Sequence, residues 1–324
     1  MSTTVISAAA SPPRPWRDWL VQRFIYASAL VAIALILLIF VFVGREALPV
    51  LTSAAVHEEV TLEQLLLPQN YGTEEVPLPY VWQPVSAKPK YSLMPLFLGT
   101  LKVTLVAMLC ATPLAVLAAV YTTEFAPRWL REAIKPVVEL LAGIPSVVLG
   151  FFALIVLATW LQDAFGLDYR LNAINAGLAL GLAVIPIIYT LAEDALTAVP
   201  DSLRRASSAL GASRWQTARR VALPAALPGI FAGIVLGFGR AAGETMIVLM
   251  ASGNAAITSW DFAEPVRTLS ATIAAELAEV VFGSPHYHVL FFIGTLLFAV
   301  TFLLNWLGAW MVGRVRRRLT GATR

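Results

Sequence analysis

Charged residues are scarce in this sequence. Its 324 residues include 23 lysines and arginines and 20 aspartates and glutamates, about half the charge that a globular domain of this length carries. Hydrophobic residues make up 58% of the chain and the mean hydropathy is +0.75, which is more apolar surface than a soluble interior can bury. This composition excludes a disordered chain, a collagen, a coiled coil and a disulfide-stapled secreted domain. It indicates that most of the chain lies in lipid.

Cysteine and histidine are also scarce, and a nucleotide-binding loop is missing. The single cysteine, Cys110, allows no intramolecular disulfide and excludes a cysteine-rich zinc or iron–sulfur site. The phosphate-binding loop of ATPases contains a Gly-Lys pair, and none of the 20 glycines here precedes a lysine, so the sequence lacks that loop. His286 and His288 suit neither one helix face nor a zinc pair, and with His57 they are expected in solvated external loops. We predict no metal, no cofactor and no catalytic residues, and the chain is not expected to be an enzyme.

Long apolar runs, in contrast, are abundant. Hydrocarbon about 30 Å thick takes about 20 apolar residues to cross as a helix, and six stretches qualify or come close. They lack the alternation of barrel strands, so a helical bundle is the remaining spanning structure and the predicted fold class is all-α. The predicted spans are Phe24–Val43, Pro95–Tyr121, Val137–Leu161, Ala173–Leu191, Ala225–Ser252 and Val289–Val312.

The first span has basic residues before it and small residues after it, as a signal peptide does. Its apolar core of about 20 residues is longer than the roughly 7 to 15 of a signal peptide, so we expect a retained membrane helix. Cleavage would leave the topology of the later spans unchanged.

Basic residues are distributed unevenly among the loops. Of the 23, 16 lie in segments 1–23, 122–136, 192–224 and 313–324, and five lie in segments 44–94, 162–172 and 253–288. The positive-inside rule therefore places the first set, with both termini, in the cytoplasm. The remaining two, Lys102 and Arg240, fall inside spans. Lys102 is near an outer end, and we expect its flexible stem to carry the charge to the membrane surface.

Three regions follow from this topology. Residues 1–94 form an N-terminal cytoplasmic tail, the first helix and an external loop, which its prolines between Glu46 and Leu93 predict to be irregular. Residues 95–312 form a five-helix core with a cytoplasmic loop at 192–224, and residues 313–324 form a basic tail. That tail is typical of a topology anchor rather than of a nucleic-acid site.

The loop at 192–224 is long and patterned. A first short helix is expected to start after Pro200 at Asp201 and to stop at Gly211, and a second to start at Ser213 and run to Leu223-Pro224. Two amphipathic helices joined at a glycine would form a compact knob that contacts a partner. The alternative is an interfacial elbow, where arginine and tryptophan are common.

The fifth predicted span carries two charges. On a continuous helix, Gly229, Gly233 and Gly237 fall within about 80° of one another, and Arg240 and Glu244 share that face. A face stripped of side chains points towards protein or a pore rather than lipid. In one interpretation the two charges neutralise each other and fix helix packing. In the other, the planar donor fork of Arg240 meets a tetrahedral oxyanion, and Glu244 holds the fork or opposes the anion to ease its release.

The loop resembles the coupling signature of permeases of bacterial ATP-binding-cassette importers, which is Glu-Ala-Ala, three residues, Gly, nine residues, Ile, one residue, Leu-Pro. All spacings are kept when the signature is laid on Arg205-Ala206-Ser207, Gly211, Val221 and Leu223-Pro224. The resemblance implies that this loop docks into a separate cytoplasmic ATPase subunit. Because Arg205 stands where the family has glutamate, either Glu193 or Asp201 substitutes or the partner surface differs. The residues assigned to ATPase coupling are Arg205, Ala206, Gly211, Leu223 and Pro224.

Three further stretches are similar to phosphate-import permeases of the PstC type: Gly99–Leu105 with Pro113–Ala115, Ala142–Phe152, and Gly239–Met246 followed by Gly253-Asn254. The resemblance implies an all-α, six-helix bundle of the MetI-like type I importer class in the bacterial inner membrane. It also implies a second related permease chain and an external phosphate-binding protein as partners. The substrate path is assigned to Arg240, Glu244, Thr245 and Ser146, with a cap or turn role as the alternative for Ser146.

The predicted function is that of a transmembrane subunit of an ATP-driven importer of inorganic phosphate, forming half of the translocation path. Sulfate and molybdate permeases are the nearest rivals, because they share an Arg to Gly-Glu stretch without the Thr-Met of Thr245-Met246. The alternative classes are a self-sufficient secondary transporter or channel, and a structural membrane protein.

Overall fold

The computed structural model describes residues 15–72 and 78–319, so the N-terminal tail through residue 14 and the end of the basic tail at 320–324 lie outside the described residues. Within those ranges the chain is mainly helical and forms no strand, which confirms the all-α fold class. The helices are α1 (Pro15–Ala47), α2 (Pro49–Thr52), α3 (Ala54–His57), α4 (Leu62–Leu66), α5 (Met94–Glu124), α6 (Arg128–Ala142), α7 (Ser146–Phe152), α8 (Ala158–Phe165), α9 (Ala173–Thr197), α10 (Asp201–Ala209), α11 (Arg214–Thr217), α12 (Leu223–Gly243), α13 (Met246–Ala251), α14 (Leu269–Glu276) and α15 (Pro285–Leu319).

Six helical stretches in the described part are long and apolar enough to cross a membrane, as predicted. π-helical turns at Ala153–Leu157 and Ala218–Ala222 join α7 to α8 and α11 to α12 without ending the helix. The α10 end of the bundle carries α10, α11 and the end of α5, and the α4 end carries α2 to α4 and the start of α5. The six stretches are Asp18–Thr52, Met94–Glu124, Ser146–Phe165, Ala173–Thr197, Arg214–Gly243 and Pro285–Arg314.

Small residues bring α5, α9 and α12 together at the centre. Ala107, Ala111 and Ala115 recur every four residues on α5 and are fully buried against α9. A Cβ on Gly177 of α9 would lie 2.5 Å from the Val106 side chain, so glycine is required for this approach. Close backbone packing of this kind is how membrane helices associate without a hydrophobic driving force between them.

The predicted third span, Val137–Leu161, is wrong at its start. The chain leaves helix at Gly143-Ile144-Pro145, so α6 is separate and the span begins at Ser146. Proline disfavours helical backbone in the residue before it, which ends α6 here. Hydropathy alone joined the apolar face of α6, on which Ile134 and Val138 pack against the core, to the span that follows.

The segment between α1 and α5 is more ordered than the predicted irregular loop. It folds into α2, α3 and α4, and Thr61 and Gln64 form a reciprocal capping box at the start of α4. Val50, Val60 and Leu65 are fully buried in a second apolar cluster with α14 and α15. The α4 end therefore has a packed cap, at least over residues 46–72 and 78–93.

Candidate functional site

The predicted fifth span, Ala225–Ser252, is broken in two, which corrects its treatment as one helix. α12 ends at Gly243, Glu244 is extended (φ −68°, ψ 134°), and α13 begins at Met246. The Ser270 hydroxyl of α14 donates to the Glu244 carbonyl at 2.8 Å, so a carbonyl released by the break has a partner. Non-helical backbone at membrane depth is tolerated where it is buried in protein or lines an aqueous cavity. The break therefore marks an interior or path-lining position.

The break also separates the two charges that a continuous helix would place on one face. Arg240 is exposed in the last turn of α12, whereas Glu244 is half-buried beyond the helix end. The Glu244 carboxylate accepts from the backbone N–H of Thr245 at 3.2 Å, and the ion pairs of the described residues include neither charge. The interpretation in which Arg240 and Glu244 neutralise each other at i, i+4 is wrong for this structure.

The glycine face of α12 packs against α9. A Cβ on Gly229 would lie 2.5 Å from the Ala195 side chain, and one on Gly233 would lie 2.9 Å from Leu191. Gly237 meets Ile188 in the same way, at 2.8 Å. The small-residue face therefore contacts protein, as the sequence indicated, and fixes where the helix turn carrying Arg240 lies.

Ser146 is the first residue of α7, which runs beside α13. A Cβ on Gly150, one helical turn after Ser146, would lie 3.2 Å from the Met246 carbonyl oxygen. This contact brings the start of α7 near the α12–α13 break, where Thr245 precedes Met246. Ser146 is half-buried and is not the N-cap of α7, because that position is Pro145 and makes no side-chain cap.

A cavity beside α12 offers little to an anion. It has a volume of about 520 Å³ and is lined by apolar side chains of α1, α14 and α15 and by two glycines of α12, with Thr301 and Asn305 as its polar groups. Gly239 and Gly243 line it, but Arg240 does not. Arg240 therefore faces another side of α12.

At the α10 end, the first predicted coupling helix has the expected bounds. α10 starts at Asp201 after Pro200, and the chain turns at Gly211 with φ +81°, a left-handed conformation that favours glycine. Nothing lies within 4 Å of a Cβ built on Gly211, so the backbone conformation rather than crowding requires glycine here. None of the described side chains of α10 is buried within the chain.

The second predicted coupling helix is longer than expected. It starts at Ser213, whose side chain forms a capping box with Gln216, but it runs through the π-helical turn into α12 rather than ending at Leu223-Pro224. Proline lacks an N–H, and a change of hydrogen-bond register just before it lets the helix continue past Pro224. The predicted pair of short helices is therefore a single short helix, α10, followed by an extension of the membrane helix α12.

The residues assigned to coupling divide into two groups. Arg205 and Ala206 are exposed on α10, and Gly211 is exposed at its end. Leu223 and Pro224 are half-buried at the start of α12, where Leu223 packs against the central apolar core. The first group is accessible to a partner, and the second anchors the segment.

A polar cluster at the α4 end was not foreseen from the sequence. The Glu276 carboxylate accepts from the Trp82 indole at 3.0 Å, pairs with Arg267 at 2.7 Å and contacts His286 at 2.9 Å. Burial alone would raise the pKa of Glu276, but hydrogen bonds with His286 and Trp82 and the charge of Arg267 hold its pKa below the ordinary value. The signal available was that Arg267 is the one basic residue of segment 253–288.

Two expectations about isolated polar residues are wrong. His286 and His288 are not a solvated loop pair, because both lie in the first turn of α15, where the His288 ring contacts the Glu46 carbonyl at 2.8 Å. Lys102 does not reach the surface either. It is 1% exposed, and its ammonium donates to the carbonyls of Ser259, at 3.1 Å, and Asp261. Backbone carbonyls of segment 253–268 thus take the place of water around the charge.

Comparison with known proteins gives the chain relatives over most of its length. A family model described as "binding-protein-dependent transport system inner membrane component" matches residues 111–320. The probable ABC transporter permease protein YqgH of Bacillus subtilis is 36% identical over 222 residues, which cover 68% of this chain and 72% of that protein. The phosphate transport system permease protein PstC of Mesorhizobium japonicum is 35% identical over 260 residues, covering 74% and 78%. PstC 1 of Mycobacterium tuberculosis is 36% identical over 273 residues, covering 77% and 80%.

Solved structures resemble the bundle at lower identity. An inward-facing MetNI methionine ABC transporter superposes with a TM-score of 0.52 at 21% identity, covering 69% of this chain and 94% of that one. A bacterial ABC transporter involved in the import of alginate gives 0.58 at 16% identity, covering 93% and 99%. At these identities the likeness concerns the fold, and it confirms the predicted bundle.

Proposed function

Because the chain belongs to the family of binding-protein-dependent transport system inner-membrane components, we propose that it is the permease subunit of an ATP-driven importer of inorganic phosphate, of the PstC type. The names of the relatives in Mesorhizobium and Mycobacterium support phosphate as the substrate. The family is that of membrane components rather than ATPases, which agrees with the missing nucleotide loop.

One structural observation carries the assignment of the path. Arg240 lies exposed in the last turn of a membrane helix, one turn before the helix breaks, and no described carboxylate pairs with it. A guanidinium offers planar, paired donors that match two oxygens of a tetrahedral oxyanion. Its exposure within this single chain leaves the fork available to an anion in a path between two permease chains.

The other proposed path residues take different roles from those of a neutralised pair. Glu244 is turned towards its own backbone, so it does not hold the Arg240 fork and would instead repel a bound anion and ease its release. Ser146 carries a hydroxyl near the break and would donate to the anion's oxygens. The Thr245 hydroxyl donates to the Gly243 carbonyl at a long 3.4 Å and would turn to the anion instead. In this proposal, the polar groups of the path are gathered at the break between α12 and α13.

Coupling is proposed to run through α10. Arg205, Ala206 and Gly211 would contact a separate ATPase subunit, while Leu223 and Pro224 hold the root of the segment in the membrane core. Asp201 already pairs with Arg204 at 3.3 Å, so it is a poor substitute for the family's glutamate. An exposed Arg205 instead favours an ATPase surface that is acidic at this contact.

In the proposed assembly, this chain forms a heterodimer with a related permease, and the heterodimer binds cytoplasmic ATPase subunits and an external phosphate-binding protein. The proposed orientation, with both termini in the cytoplasm of a bacterial inner membrane, is supported by the 16 basic residues on one side against five on the other. The outward segments carry 12 acidic residues against those five basic ones, so free phosphate would be repelled and a docked carrier would be needed.

Reconstitution tests this function. The chain, its partner permease and the ATPase are assembled in liposomes with the binding protein, and uptake of labelled phosphate is compared with that of sulfate and molybdate. We expect ATP-dependent uptake that excess phosphate inhibits and excess sulfate does not. Preference for sulfate or molybdate would assign the rival oxyanion, and uptake without ATPase would assign a secondary transporter or channel.

A further inference from the structure

Arg204 of α10 uses all of its donors inside the chain. A guanidinium has five N–H groups. Here Nε and Nη2 donate to Glu124 Oε1 at 3.3 and 2.9 Å, Nη2 also donates to the Leu196 carbonyl at 2.8 Å, and Nη1 donates to the Val199 carbonyl and to Asp201 Oδ1. No donor is left for a partner protein, although the next residue along the helix, Arg205, is fully accessible.

Glu124 makes this contact a link between helices. It is the last residue of α5, its side chain is 9% exposed, and its carboxylate pairs with Arg204, which is 21% exposed. A carboxylate buried to this extent is stable as a charge only when it is paired. The pair therefore ties α10 to the end of a membrane helix.

The carbonyl partners tie the same guanidinium to a second membrane helix. Leu196 lies in the last turn of α9 and Val199 just beyond its end, where helical carbonyls lack intrahelical partners and the helix dipole is negative. A cation that donates to these carbonyls is favourably placed. One side chain of α10 thus joins the ends of α5 and α9.

Besides this guanidinium, α10 packs against α11 and the π-helical turn at Ala218–Ala222. It buries no residue, and it is bounded by Pro200 and by the left-handed turn at Gly211. The Ser207 hydroxyl contacts Thr217 Oγ1 at 2.9 Å, which connects α10 to α11. A polar cavity of about 440 Å³ lies beside the pair, so apolar side chains do not enclose it.

We propose that Arg204 and Glu124 form a clamp through which displacement of α10 moves α5 and α9 together. The proposal rests on the proposed function, because it assumes that an ATPase moves α10. Arg204 is a positioning residue in this scheme and touches neither the ATPase nor the substrate. Without the clamp, α10 would pivot at its two ends, and ATP hydrolysis would continue with less transport.

The first experiment measures transport per ATP in the reconstituted complex. The variants are Glu124→Gln, Arg204→Lys and the double variant, and the matched control is Arg128→Lys, which changes an exposed arginine of α6 at the same end of the bundle. We expect each clamp variant to keep the ATPase bound and hydrolysing while phosphate uptake per ATP falls about tenfold or more. The double variant should be no worse than either single one, and the control should stay within about twofold of the parent.

Three results would overturn the clamp. Unchanged uptake per ATP would show that the pair transmits nothing. Loss of ATPase binding in step with loss of uptake would make Arg204 a partner contact. Additive losses in the double variant would show that the two residues act separately.

A second measurement keeps the test independent of transport and of the substrate. Spin labels are placed at Leu210→Cys beside α10 and at Leu117→Cys on α5, both exposed positions, in a Cys110→Ala background. We expect one narrow distance distribution in the parent complex and a broad one with Glu124→Gln. Equal widths would refute the clamp, and this outcome can be read even if the parent complex takes up no phosphate.

Discussion

Arg240 combines a permanent charge with an exposed position in an apolar helix. Insertion scales put the cost of an arginine at the centre of a membrane helix at about 2.5 to 3.5 kcal/mol. The glycines one and two turns earlier seat α12 against α9, which fixes the side of the helix on which Arg240 lies. A charge that is held in place at this cost is best explained by a function that needs it.

Arg240→Gln should abolish phosphate uptake while the complex still assembles. Glutamine keeps hydrogen-bonding capacity but loses the charge and the paired donors that the anion needs. Uptake in liposomes and co-purification of the ATPase are measured together. Arg240→Lys, which keeps the charge without the fork, should retain a small part of the uptake. Loss of assembly in Arg240→Gln would instead make Arg240 a structural residue.

Glu276 should make the α4 end sensitive to acid. Its pKa in the folded chain lies below the ordinary 4.5, so its contribution to stability is present above pH 4.5 and is lost as the pH falls through the folded pKa. Arg267, His286 and Tyr91 are the charged or titratable groups of the described residues that act on it, and Tyr91, whose pKa burial raises to about 12, stays neutral in this range. Glu276→Gln should cost about 2 kcal/mol at pH 7, the scale of hydrogen bonds to a charged group, and should flatten this acid dependence.

Thermal unfolding of the purified chain in detergent between pH 7 and pH 3 measures the effect. Glu279→Gln is the matched control, because Glu279 is an exposed carboxylate only three residues away. An equal shift in both variants would show that the cluster around Glu276 adds no specific stability.

Single residues differ in how far the sequence reveals them. Arg240 stands out in the sequence because charges are rare in an apolar span, and Gly211 because a helix stop needs a left-handed residue. The Arg204–Glu124 pair was not, because its members are 80 residues apart and each also fits an ordinary surface charge. Partnerships of this kind depend on which helix ends meet, and periodicity within one helix carries no information about that.

At the scale of secondary-structure elements, the positions of helix breaks bear more on the candidate site than the lengths of the helices do. Hydropathy located the six helical stretches of the described chain that are long and apolar enough to cross a membrane. It missed the interruptions at Gly143–Pro145 and at Glu244, because an apolar sequence has the same hydropathy on either side of a break. Pro145 was a usable signal for the first. The second break has no proline, and its released Glu244 carbonyl is satisfied by Ser270, a residue of another helix.

Gly211 provides a test at this scale. Gly211→Val places a β-branched residue at φ +81°, which costs about 1 to 2 kcal/mol and should tilt α10 away from its proposed ATPase contact. Gly211→Asn is the control, since asparagine tolerates left-handed backbone. We expect the valine variant to bind ATPase at least several-fold more weakly in pull-down titrations and the asparagine variant to bind nearly normally. Normal binding by both would count against docking through α10.

At the scale of the whole molecule, the two ends of the bundle differ in construction. The α4 end is capped by a packed apolar cluster and the Glu276 polar cluster, whereas the α10 end presents an exposed helix held by one ion pair and a few hydrogen bonds. A tightly packed surface is suited to docking of the external binding protein, and a helix with few contacts is suited to displacement by the ATPase. This contrast accords with the proposed orientation.

Cysteine labelling tests that orientation directly. In a Cys110→Ala background, Val85→Cys at the α4 end, where Val85 is 89% exposed, should react with a membrane-impermeant maleimide added to intact cells. Glu132→Cys, exposed on α6 at the α10 end, should react only after the membrane is opened. The reverse pattern would invert the topology.

The contact between α1 and α15 bears on how the chain is made. The rings of Phe40 and Phe298 lie tilted to each other with their centroids 4.8 Å apart, and no residue in the most apolar part of the first span is buried within the described chain. During synthesis, α1 therefore enters the bilayer before α15 has been made, and it has no membrane helix to pack against until α15 follows. It must persist alone in lipid until then, and it is the most apolar of the six spans in the described chain. The order of translation thus explains why the least packed helix is the most apolar one.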